Sequence, residues 1–279
     1  MANEILEYLD LPAGKVFVDC TLGGGGHAEM IKTRNPNSII YGIDQDPDAI
    51  EAAKNRLAKY KNIIYIRDNF SNIKNRVKGK VDGILFDLGV SSYQIDEPSR
   101  GFSYQNDALL DMRMDKSGKL TASDIVNAWP PDGIEKIIRE YGEERFSKRI
   151  SNAICVMRNA KKINTTFELK EIIEKAIPTW RKRESVARVF QSLRITVNSE
   201  LKNLQTALKA SVDLLKRRGR IVVLSYHSLE DRIVKRSFRD FKKDGILKIM
   251  TKKPVTAGEL EIGENPRAKS AKLRAAEKI

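Results

Sequence analysis

The residues most able to do chemistry in this chain are a run of four glycines and a set of aspartates that each close an apolar stretch. Val16-Phe17-Val18-Asp19 leads through Cys20-Thr21-Leu22 into Gly23-Gly24-Gly25-Gly26 and then His27-Ala28-Glu29-Met30. That order predicts a buried strand, a glycine turn and the first turn of a helix. Glycine lets the backbone take positive φ and approach a ligand where a Cβ would clash. The helix that follows aims free N–H groups and its positive dipole end into the turn. A second apolar stretch, Ser38 to Ile43, ends on Asp44. An acid about 20 residues past the glycines is placed to accept both ribose hydroxyls of a nucleoside-bearing cofactor. The turn itself leaves the cofactor open. A dinucleotide asks for G-x-G-x-x-G, so that a pyrophosphate meets the helix N-terminus, whereas here Ala28 stands three places after Gly25. S-adenosylmethionine needs only close backbone approach, and suits the turn at least as well.

These residues need elements to hold them. A short helix is predicted over Glu4–Leu9, with strands at Val16, Ile39, Asn62–Ile66 and Val81–Asp87. Helices around Ala28–Arg34 and from Pro47 onward separate them. Strands alternating with helices imply a parallel, doubly wound sheet, whose ligands sit at the carboxyl ends of the strands. Asp19, Asp44, Phe70 and Asp87 all fall at such ends. From about Gln105 to Phe190 the alternation stops, and helical stripes are predicted over Gly133–Tyr141, Glu144–Arg158 and Thr166–Ala176, the last with a capping pattern starting at Thr166. Helix is expected from Phe190 through to about Leu215. The sheet resumes at Arg220–Ser225, followed by a helix over Ser228–Phe241, a strand at Ile246–Met250, a turn-rich basic tail at Lys252–Glu264 and a last strand at Ser270–Ala276.

Composition narrows the class. The 279 residues, 41% hydrophobic and 32% charged, can bury a sizeable core. No apolar run approaches the roughly 20 residues of a membrane span, so no membrane partner is expected. Cys20 and Cys155 lack metal-ligand spacing, and a reduced cytoplasmic location fits them. The net charge of +14 is unevenly spread, because residues 212–279 carry 18 basic and 9 acidic side chains while residues 1–105 are close to neutral. Such a basic half is the electrostatic footprint of a phosphate backbone.

Phe86-Asp87-Leu88-Gly89-Val90-Ser91-Ser92-Tyr93-Gln94 leaves the fourth strand. The exocyclic amine of cytosine or adenine is conjugated with its ring and is a poor nucleophile. An acid that holds its N–H groups turns the lone pair toward an electrophilic methyl. Asp87 can be that acid, and Tyr93, Phe102, Tyr104 or Tyr226 can offer a stacking face. With Arg100-Gly101-Phe102-Ser103, Leu110-Asp111-Met112-Arg113-Met114-Asp115, Tyr141-Gly142-Glu143-Glu144-Arg145-Phe146, Phe190-Gln191-Ser192-Leu193-Arg194-Ile195, Ser225–Arg232 and Glu264–Arg274, the chain resembles the bacterial 16S rRNA cytosine-N4 methyltransferases along nearly its whole length. It departs from them at Glu184-Ser185-Val186-Ala187-Arg188, where many members have His-Pro-Ala-Thr-Arg.

The resemblance implies an α/β fold, a Rossmann-like class I methyltransferase sheet with an inserted α-helical domain. Residues 1–105 and 191–279 would bind S-adenosylmethionine and release S-adenosylhomocysteine, and residues 106–190 would recognise RNA. It implies cofactor contacts at Gly25, Gly26, His27, Asp44, Phe70, Asp87 and Gln94, with Asp87 and His227 catalytic. Tyr93, Tyr226, Ser228 and Arg232 would meet the base or its phosphate. The implied reaction is methylation of cytosine N4 in the decoding region of 16S rRNA, on the small ribosomal subunit, with a homodimer left open. Two rival readings keep the same glycine turn: an NAD(P)-dependent oxidoreductase, and a non-catalytic ribosome-assembly factor.

Overall fold

The computed structural model describes residues 1–10, 15–91, 94 and 97–279, with the side chains of Pro98 and Thr179 left aside. Tyr93 lies outside the described residues. The chain forms two compact units, Met1–Gly89 with Leu201–Ile279, and Val90–Glu200. The helical unit thus begins before the expected residue 106 and ends after the expected 190.

In the first unit, α1 (Ala2–Leu9) precedes β1 (Val16–Asp19), α2 (Gly26–Arg34), β2 (Ile39–Asp44), α3 (Pro47–Leu57), β3 (Ile63–Arg67), α4 (Ile73–Arg76) and β4 (Val81–Asp87). The second unit holds α5 (Ala122–Ala128), α6 (Pro131–Glu140), α7 (Ser147–Ala160), α8 (Thr166–Ala176) and α9 (Lys182–Asn198). After it come α10 (Glu200–Leu214), β5 (Leu215–Ser225), α11 (Ser228–Lys243), β6 (Leu247–Ile249), β7 (Val255–Thr256), α12 (Glu259–Glu264) and β8 (Lys272–Lys278).

The strands make one sheet in the order β3-β2-β1-β4-β5-β8-β6, with β7 paired to β8. β1 to β5 run parallel, and β8 is antiparallel to β5, β6 and β7. Alternation along the strands sends side chains to two cores. Val18, Ile84, Phe86, Ile221 and Val223 pack with Leu204 and Leu208 of α10 and Phe238 of α11. Phe17, Ile40, Leu85 and Val222 pack on the other face with Ile5 of α1, Ile31 of α2 and Leu57 of α3. Helices on both faces are what a parallel sheet requires, since its strands expose apolar side chains to both sides. The chain reverses its direction of travel across the sheet between β1 and β4, and a crevice outside the carboxyl ends forms at such a reversal.

The helical unit has its own core, built on residues such as Ile134, Ile150, Ile173, Val189 and Leu193. Its α8 is capped one residue earlier than expected, because the Thr165 hydroxyl accepts the Glu168 N–H while Glu168 accepts that of Thr165. Thr166 is instead fully buried and donates to the Asn106 carbonyl at 2.8 Å. Three other expectations change. The helix expected through to Leu215 breaks at Ser199, whose left-handed φ of 51° lets its N–H cap α9. β5 begins at Leu215, ahead of Arg220, with a register shift against β4. The tail expected to be turn-rich contains β7 and α12. Among the described residues no helix is long and apolar enough to cross a membrane.

Candidate active site

The glycine turn follows β1 as its composition requires. Gly23 and Gly25 take φ of 51° and 81°, and Gly25 is the N-cap of α2. A Cβ on Gly25 would stand 2.9 Å from Leu57 Cδ1, so both conformation and packing demand glycine there. Gly26 and His27 form the first turn of α2.

Asp44 closes β2 and binds backbone on both sides of itself. Its Oδ2 accepts the Gly23 N–H at 2.8 Å and its Oδ1 accepts the Asp46 N–H at 2.9 Å. One carboxylate therefore ties the glycine turn to the start of α3 and keeps lone pairs on both oxygens for a ligand. Burial pushes its pKa up to about 6 against the pull of those two amides. Phe70 follows β3 and meets the Phe86 ring edge-on, with centroids 5.7 Å apart.

Asp87 ends β4 at the reversal point. Its N–H donates to the Thr21 hydroxyl at 2.7 Å, which binds β4 to the loop after β1. Its Oδ1 accepts the Tyr226 hydroxyl at 2.7 Å, and its Oδ2 stands 3.6 Å from His27 Nδ1. Desolvation raises the Asp87 pKa, with His27 and the Tyr226 hydroxyl opposing it. Burial, and after it the contact with Asp87, push the Tyr226 phenol up. Glycine turn, β4 end and β5 end are thus joined through Thr21, Asp87, His27 and Tyr226.

His227 is the N-cap of α11, and its Nε2 lies 3.3 Å from Glu230 Oε1. Among the described residues neither ring nitrogen has a hydrogen-bond partner, although both are buried. Glu230, itself buried, reaches back to accept the Tyr226 N–H at 2.9 Å. Ser228 opens α11 and Arg232, exposed, lies one turn further on. Gln94 belongs to the helical unit, where its Oε1 accepts the Ser91 N–H and its own N–H donates to Ser91 Oγ. Of the other aromatics, Phe102 and Tyr104 pack on the core of the helical unit, Tyr104 edge-on to Phe190.

Two residues at the site carry weight that their sequence context did not show, and a third, Asp19, carries more than its place at a strand end implied. Thr21 and Glu230 are placed by hydrogen bonds that only the fold creates; an acid three residues after a helix cap was the one local sign for Glu230. Asp19 is fully buried, its Oδ2 has no partner among the described residues, and burial lifts its pKa to about 6, with Asp87 and Asp44 adding to the rise.

That orphaned oxygen tests which ligand the cleft fits. Carboxylates from β1, β2 and β4 converge on a glycine cradle, and the interior penalises their charge. A ligand bearing an ammonium and a sulfonium as well as a ribose compensates them; one bearing a pyrophosphate adds to the repulsion. S-adenosylmethionine fits this donor set, with Asp44 holding the ribose and the glycine turn admitting the backbone close to the donor.

Comparison with known proteins agrees. The model of the MraW methylase family matches residues 1–279. A ribosomal RNA small subunit methyltransferase H from Finegoldia magna is 48% identical, with 100% of this chain and 97% of the relative covered. One of the same name from Halothermothrix orenii is 46% identical over the same shares. Among solved structures, TrmN from Thermus thermophilus superposes with a TM-score of 0.50 at 13% identity, covering 100% of this chain and 48% of that one, a likeness of fold alone. Matched from end to end by that family model, and sharing nearly half its residues with these relatives, the chain belongs to the MraW methylase family and takes S-adenosylmethionine as its methyl donor.

Proposed function

We propose that this protein methylates N4 of a cytosine in the decoding region of 16S rRNA, acting on the small ribosomal subunit in the cytoplasm. The names of its relatives supply the small-subunit RNA. The observation that carries the amine is Asp87, a desolvated carboxylate pinned by the Tyr226 hydroxyl at the end of β4.

S-adenosylmethionine supplies a methyl group made electrophilic by its sulfonium. The chain's own residues do the rest. Asp87 accepts an N–H of the cytosine amine, pulling electron density out of the ring conjugation and fixing the lone pair's direction. Tyr226 holds that carboxylate in one rotamer and offers its ring to the base. His27, on the far side of Asp87, favours its ionised form. His227, whose buried ring has no hydrogen-bond partner among the described residues and stands 3.3 Å from the Glu230 carboxylate, is the candidate acceptor of the proton the amine sheds. The base reaches this cleft only from a single strand or by leaving its stack. In the helical unit, Trp180 is 70% exposed, with the Arg145 and Arg181 guanidinium groups 5.5 and 4.8 Å from its ring. An exposed, cation-flanked indole is a platform for an unpaired base, which supports RNA recognition by this unit.

The nucleoside decides the reading. Unmodified small subunits incubated with labelled donor and then digested should yield labelled N4-methylcytidine. Label in another nucleoside, or none from an active preparation that binds the donor, would refute it.

The aspartates also set a pH dependence. Ligand-free Asp19 and Asp44 titrate near 6, above the 3.8 of an unstrained aspartate. Between those values the folded protein holds more protons than the unfolded chain, so ligand-free stability falls as pH rises from about 4 to 6. A cationic donor favours the ionised forms and so releases protons when it binds. Affinity for the donor should drop as pH is lowered from 7 to 5. Titration calorimetry at pH 6 in two buffers of different ionisation enthalpy should show that release; identical heats in both buffers would contradict it.

A further inference from the structure

Helix α11 starts at the active site and ends in a different feature. Beside its second half lies a cavity of about 460 Å³, lined by that helix, by β6 and by the loop after β6. Its floor is apolar, made by the buried Phe238 ring and Ile249. Its walls are cationic, with Lys235, Arg239, Lys242 and Lys243 from the helix and Lys252 from the loop, and among the described residues no acid lines it. Arg274, the remaining cation, is held by Asp231 through two hydrogen bonds of 2.6 and 3.1 Å. The other five exposed side chains carry no ion pair or hydrogen bond among the described residues.

The helix dipole accounts for Lys242 and Lys243, which sit in the last turn where cations are favoured. It does not account for Lys235, Arg239 or Lys252. Positions 235, 239 and 242–243 lie on one face, and four residues of helix advance about 6 Å, comparable to the separation of successive phosphates in a nucleic-acid strand. The stripe starts seven residues past Ser228, roughly 10 Å along α11 from the end that carries Tyr226 and His227. A strand with its base at Asp87 would cover that distance in two or three nucleotides.

We infer that this groove binds the ribose-phosphate backbone of the RNA flanking the target nucleotide, so that α11 joins base recognition at one end to strand anchoring at the other. The inference rests on the RNA-methylating reading. It assigns a place and a polarity to contacts that the basic composition alone spreads over the whole C-terminal half. Loose positive charge kept for solubility would be interspersed with acids and would not line a cavity with an apolar floor.

The test is a triple variant, Lys235→Gln with Arg239→Gln and Lys252→Gln, which spares the last-turn lysines. A control neutralises Lys54, Lys61 and Lys78, exposed elsewhere on the same unit. With small-subunit RNA, the groove variant should bind about tenfold more weakly at moderate salt. Its plot of log affinity against log salt should flatten by about 2, as expected for three lost contacts to a single strand. KM for the RNA should rise with kcat held, and adenosylhomocysteine should bind as in the wild type, which reports an intact fold. Equal weakening by the control would mean a diffuse field, and an unchanged slope would mean no contact; either overturns the groove. So would competition by a nucleoside triphosphate as effective, phosphate for phosphate, as by an oligoribonucleotide, since that assigns the cations to free anions. Failure of the wild type to methylate cytosine would refute the parent reading instead.

Discussion

Asp87→Asn is expected to lower kcat for methyl transfer by about 10²–10³-fold while adenosylhomocysteine affinity stays within about tenfold. The amide keeps the size of the carboxylate, and its oxygen can still accept the Tyr226 hydroxyl. The change falls on the other oxygen, which faces His27 Nδ1 at 3.6 Å. An NH2 there sets a donor against an imidazole and against the amine it must orient, and it removes the negative charge that the reaction centre needs as the amine becomes cationic. The defect should therefore appear in single-turnover chemistry rather than in RNA affinity. A variant retaining more than a tenth of wild-type turnover would remove Asp87 from the chemistry. A non-catalytic role for the whole protein would show as no activity to lose in the wild type.

Asp44→Ala should weaken adenosylhomocysteine binding by about 10²-fold. Two charge-assisted hydrogen bonds to ribose hydroxyls are worth about 3 kcal/mol together at the low end of their range, and each 1.4 kcal/mol is tenfold. The ligand-free protein should lose little stability at neutral pH. The Gly23 and Asp46 amides lose their acceptor, but a carboxylate whose pKa is pushed up to about 6 was itself paying for its burial. Thermal unfolding with and without ligand separates the two effects: the variant's own Tm should lie near the wild type's, while the ligand-induced rise disappears. A retained rise would mean that the ribose is held elsewhere.

Much of the site was legible in one dimension because parallel βα repeats put function at fixed places. An apolar strand, a glycine turn and an acid at the next strand's end specify local backbone, and Val81–Asp87 was readable as a strand to its last residue. The helical middle was equally readable from its apolar stripes, since Thr166–Ala176 follows the 3.6-residue period from end to end. The break at Ser199 was not, because a serine in the left-handed region carries no local mark of it. Nor was β7, a two-residue strand that exists only because β8 offers it an edge.

By itself the sequence determined the alternation of β1 to β4 with their helices, the glycine turn, the acids at the strand ends and the basic C-terminal half, all of which are local patterns of side-chain type. Only the tertiary structure decided that Tyr226, 139 residues downstream, holds Asp87, that Thr21 locks β4 to the first loop, and that Asp19 is fully buried with one oxygen unpartnered among the described residues. The reason is the sheet order, which sets β4 between β1 and β5 and so gathers at one crevice residues that no sequence window contains together.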